Sequence, residues 1–106
     1  MKVKVGGCDY ICEDILDEDR PQYNGQVLKS KQIIRVDGQL PKQHQAKVLL
    51  HEILHAIDYE WGIFAEMDND EAERTITQLS CGLAAVMRDN PKVFEVIKKW
   101  QNTTST

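Results

Sequence analysis

An uninterrupted helix-compatible run lies between Pro41 and Gly62, and it constrains this chain more than any other feature. Proline is favoured in the first turn of a helix, and glycine is a good terminator just past its end. The spacing predicts one long helix over 41–61, with Leu50, Ile53, Leu54 and Ile57 as its buried stripe. In a chain of 106 residues such a helix needs a layer of other structure to cover that stripe. Inside the same run stands His51-Glu52-Ile53-Leu54-His55, an H-E-x-x-H pattern. Two histidines four apart on a helix lie one turn above each other, so both rings can grip one metal ion. Glu52 is turned about 100° from His51, which sets its carboxylate beside such an ion as a proton acceptor. Zinc suits two nitrogen ligands with a carboxylate, and it lowers the pKa of a coordinated water toward neutrality.

The rest of the chain reads as a small sheet followed by further helices. Val3, Val5, Cys8, Tyr10 and Cys12 alternate loosely around Gly6-Gly7, so residues 2–12 read as one or two strands. Gly25–Lys29 and Gln32–Val36 are short β-like runs joined closely enough for a hairpin. Asp68, Asn69 and Asp70 are helix-start residues. They open a second helix over 70–88, with Ala72, Ile76, Leu79, Leu83 and Val86 on its apolar side. Asp89-Asn90-Pro91 breaks it, and a third helix over 91–101 is expected to bury Val93, Phe94, Ile97 and Trp100. The expectation is one α+β domain spanning 1–106. It has a sheet region over 1–40 (about three strands, mostly antiparallel) packed on the 41–61 helix, and a frayed tail over 102–106.

A catalytic zinc site has three protein ligands, so a third must be found. The metzincin pattern would need a glycine at position 58 and a histidine at 61, and the chain has Asp58 and Trp61. Asp58 and His44 each lie seven residues from His51, about 10.5 Å along the axis, too far to share its ion. The helix over 70–88 offers Glu71 and Glu73. Glu73 lies about 85° from the centre of the apolar stripe and Glu71 about 115° away on the far side. Glu73 is therefore the expected ligand, Glu71 a helix-start carboxylate, and Glu66 in the preceding loop the reserve. Tyr23, His44 and Tyr59 are the available oxyanion donors, and the sequence does not choose among them.

Lys and Arg number 13 against 17 Asp and Glu, for a net charge of −4. Direct nucleic-acid binding needs a cationic face and is disfavoured. The N-terminal residues contain no apolar signal region, and stretches such as Leu83–Met87 are too short to span a bilayer, so a cytoplasmic protein is expected. Three cysteines, an odd count, read as reduced small hydrophobes, with Cys81 on a core-facing helix side.

The stretch Leu49–Ile57, followed by Glu73, Ile76, Leu79, Gly82-Leu83 and Asp89-Asn90-Pro91, resembles the small ImmA/IrrE-like metallopeptidases of bacteria, phages and mobile elements. The resemblance covers residues 25–91 and is specific around the helix motif. It implies a minimal zincin fold, zinc held by His51, His55 and Glu73, and Glu52 as general base. It also implies a cytosolic protein or peptide substrate, such as a transcriptional repressor. The rival expectation is a non-catalytic zinc-binding or protein-interaction domain.

Overall fold

The computed structural model describes residues 1–103. Strand β1 (Lys2–Val5) turns at Gly6-Gly7 into β2 (Cys8–Asp14), and the two pair antiparallel with Val5 opposite Cys8. Gly6 takes φ +61°, a left-handed value that glycine adopts without steric cost. A second hairpin joins β3 (Gly25–Leu28) to β4 (Ile33–Val36), with Leu28 opposite Ile33. A 3-10 turn over Lys29–Lys31 links them. The hairpins meet through β2 and β4, which run parallel with Ile11 opposite Ile33. The sheet order is β1-β2-β4-β3, so β3 is an edge strand.

The sheet thus has four strands and is mixed, where the sequence predicts about three, mostly antiparallel. Each hairpin is set by local turn chemistry, but the β2–β4 pairing joins residues far apart in sequence, which alternation does not encode. Alternation does set the faces. Val5, Tyr10, Ile34 and Val36 point inward and form the core with Val48 and Ala56 of helix α1 (Lys42–Trp61).

Pro41 is the residue immediately before α1, and Gly62 ends it at φ +63°. The row of α1 that is buried is Val48, Glu52 and Ala56, spaced at i, i+4. The expected stripe of Leu50, Ile53, Leu54 and Ile57 is only half-buried. The sheet covers the 48–52–56 row, and the larger apolar residues flank it. Helix α2 (Asn69–Asp89) buries Ile76 and Ser80, while Leu79, Val86 and Cys81 are exposed, against expectation. Cys8 and Cys12 are half-buried, and all three cysteines are free.

Helix α3 (Pro91–Gln101) also departs from the expected burial. Phe94 is half-buried, but Val93 and Ile97 are exposed and Trp100 is 70 % exposed. The helix packs on α2, and the Val93, Ile97 and Trp100 side is left exposed to solvent. The expected tail lies, from residue 104 onward, outside the described residues. Among the described residues, no helix is long and apolar enough to cross a membrane.

Candidate metal centre

The site begins with helical pitch. One turn of α1 sets the His51 and His55 rings 4.9 Å apart between centroids, with their Nε2 atoms separated by 3.2 Å. The chain then reverses in the loop after α1. Asp58 makes that reversal, its carbonyl accepting from Gly62 N–H at 2.6 Å and its Oδ1 from Phe64 N–H at 2.9 Å. Asp68 caps α2, its Oδ1 accepting from Glu71 N–H at 2.8 Å. The second turn of α2 brings Glu73 against both rings. Its Oε1 lies 2.8 Å from His51 Nε2 and its Oε2 lies 2.8 Å from His55 Nε2.

Glu52 sits behind this cluster. It is 7 % exposed, and one of its oxygens lies with the His51 and His55 nitrogens in a group spanning no more than 4.8 Å. His51, Glu52 and His55 could therefore hold a metal ion. The depth of Glu52 depends on Gly25 at the start of β3. A Cβ on Gly25 would lie 2.6 Å from Val48 Cγ1 and 3.1 Å from Glu52 Cγ, so only glycine lets the strand close over the helix. Burial pushes the Glu52 carboxyl up to about 7, and the negative charge of Glu73 adds to the rise. Burial also holds the His51 imidazole below its ordinary value, against the opposing pull of Glu73. A neutral ring is the metal-ligating form.

Two hollows meet at this cluster and share Tyr23, Gly25, His51, Glu52 and Glu73. One, of about 360 Å³, runs between α1 and α2 past His44, Lys47 and Thr77. The other, of about 450 Å³, runs along β3 past Gln26, Val27 and Tyr59. Together they form a cleft with the histidines at its middle. The Tyr59 ring lies tilted beside His55, 6.4 Å between centroids, with Lys29 Nζ 5.4 Å from the Tyr59 centroid.

Compared with models of known protein families, with curated proteins and with solved structures, the chain matches none.

The cluster joins His51, Glu52, His55 and Glu73, the four residues singled out from sequence. His44 lines the cleft away from the rings' meeting point, and Asp58 serves the loop. Glu71 contributes a backbone N–H to the α2 cap, and Glu66 does not line the cleft. The residue that sequence reasoning passes over is Gly25. Its signal is a glycine opening a β-like run, which marks a bulge or a close backbone approach.

Proposed function

We propose that the protein is a zinc-dependent metallopeptidase of the small ImmA/IrrE-like kind, with a minimal zincin-like fold, hydrolysing peptide bonds of an intracellular protein substrate. The observation that carries this reading is the meeting of His51 Nε2, His55 Nε2 and the Glu73 carboxylate at 2.8–3.2 Å beside the buried Glu52. Ligand atoms round a tetrahedral zinc, bonded at about 2.0–2.1 Å, stand roughly 3.3 Å apart. A small outward shift of Glu73 gives that spacing, so two imidazoles and a carboxylate fit the ion. When bound, zinc supplies a Lewis acid that polarises a carbonyl and makes water a nucleophile near neutral pH.

The chain's own residues do the rest. Glu52 accepts the proton of the attacking water and delivers it to the leaving amine. Its side chain rises from α1 and packs at Cγ against Gly25 of β3. The open edge of β3 aligns an extended peptide through main-chain hydrogen bonds. Tyr23, which borders both halves of the cleft, is the hydroxyl donor assigned to the developing oxyanion. A transcriptional repressor is the substrate class that fits the family resemblance. The test is Glu52→Gln, which keeps stoichiometric zinc and loses cleavage of a peptide library. Full activity in that variant removes Glu52 from the base role.

One observation favours a second reading, a non-catalytic metal-binding or protein-interaction domain. The Glu73 side chain is 54 % exposed, so the cleft shields its centre from water on one side only. Stoichiometric zinc in the unmutated chain, with no cleavage of any library member, would decide for it.

A further inference from the structure

Beyond the cleft, the N-terminal half of α1 and the C-terminal half of α2 enclose a second groove, of about 630 Å³. Its floor is apolar: Ala46, Leu49, Leu50, Ile53, Ala84 and Met87. Its rim is cationic, with Lys42 and Lys47 from α1 and Arg88 from α2, and among the described residues no Asp or Glu lines it. Arg88 is paired with its neighbour Asp89 at 3.0 Å. Lys42 and Lys47 are exposed and form no ion pair among the described residues. A cationic rim on a chain of net charge −4 is a local reversal of sign. An apolar floor left in water with charges at its border marks an interaction surface.

Shape and charge select the occupant. A trough between two helices accepts the apolar side of a third helix, anchored at i, i+3 or i+4, and i+7. The rim asks that helix for acidic flanks. Helix α3 of a second copy is the wrong partner, because the flanks of its apolar side carry Lys92, Lys98 and Lys99 against the single Glu95. Like charges would then face each other across the contact. Lys47, one turn before His51, lines both this groove and the cleft, so the two flank the same stretch of α1.

We infer that the groove is a docking site for an acidic amphipathic helix of the substrate protein, which feeds the adjoining extended segment into the cleft. The word substrate rests on the peptidase reading, whereas the docking itself does not.

The test uses the full chain carrying Glu52→Gln and a fluorescein-labelled peptide with leucines at the anchor positions and glutamates elsewhere, read by anisotropy. Binding is expected, weakening as salt rises. Lys42→Glu and Ala46→Glu are expected to weaken it roughly tenfold or more, with the fold verified by circular dichroism. The same peptide with lysines for glutamates is expected not to bind. Equal binding of both peptides, or binding indifferent to Lys42→Glu and Ala46→Glu, overturns the proposal. So does a dimer in light scattering that Ala46→Glu dissociates, or binding to phosphatidylserine vesicles in place of the peptide. With active chain, fusing the acidic helix to a cleavable segment should raise kcat/KM, and Ala46→Glu should cancel the gain. Peptide binding without any cleavage removes the peptidase reading and leaves the groove; cleavage without peptide binding removes the groove alone.

Discussion

Gly25 and Glu52 meet across the sheet–helix interface so closely that one added methyl group would stand 3.1 Å from Glu52 Cγ. The same methyl would stand 3.0 Å from the Arg35 carbonyl oxygen, so the strand cannot yield toward β4 either. Gly25→Ala should therefore push β3 away from α1. Overpacking of this kind costs about 1–3 kcal/mol. Thermal unfolding should register the loss, and peptide hydrolysis should fall further than zinc affinity, because the helices rather than β3 carry the two histidines and Glu73. An alanine variant as stable and active as the parent would contradict the close approach.

Metal removal gives a second outcome. Zinc at about 100 times its Kd should stabilise the chain by about 2.7 kcal/mol, an upward Tm shift on the order of 10 °C. Excess chelator should reverse it. His55→Ala and Glu73→Ala should each abolish most of the shift, measured by differential scanning fluorimetry. An undiminished shift in Glu73→Ala would show that the α2 carboxylate does not hold the ion.

Acid stability should depend on a different cluster. Arg20 reaches both oxygens of Asp14, at 3.2 and 2.9 Å, while its guanidinium also holds Asp17 and Asp37. Asp14 Oδ1 further accepts from Gly38 N–H at 2.8 Å. The Arg20 hydrogen bonds, followed by that of Gly38, hold the Asp14 carboxyl down at about 2. A carboxyl depressed in the folded state stabilises it above the unfolded pKa of about 3.9, and the benefit disappears as pH falls through about 2. The parent and Asp14→Asn should thus differ most in urea midpoint above pH 4 and converge toward pH 2. The cluster also anchors the segment carrying Tyr23, since Asp37 N–H donates to the Asn24 carbonyl at 2.8 Å.

Trp100 should be nearly silent in stability. It is 70 % exposed on the solvent side of α3. Trp100→Ala should change the unfolding free energy by no more than about 0.5 kcal/mol in urea titration, as exposed substitutions usually do.

The amphipathic pattern that misjudges Trp100 shows where legibility ends. Val93, Ile97 and Trp100 share a helical side, and sequence reading assigns such a side to the core. Whether a neighbour covers it is a tertiary fact, and here Val93, Ile97 and Trp100 stay exposed while Phe94 is half-buried. The limits of α1, in contrast, follow from Pro41 and Gly62, because proline and glycine act on the backbone directly. The spacing of His51 and His55 is legible because it is a property of the helix itself. The approach of Glu73 depends on a loop that Asp58 and Asp68 shape, and the sequence offers only its angular position on α2 as a guide. Glu52 inverts the expected pattern, occupying a buried row between Val48 and Ala56 where a hydrophobic side chain is the rule.

His55 and Glu73 stand 18 residues apart, with the whole reversal between α1 and α2 enclosed by their contact. A cation bridging them acts as a staple on that intervening stretch, lowering the entropy the chain would regain by letting the start of α2 come loose. The amide hydrogens of Asn69 through Thr77 should then exchange slowly in the charged form and quickly once the ion is stripped, while those of β1 and β2, remote from the staple, keep the same pace in both.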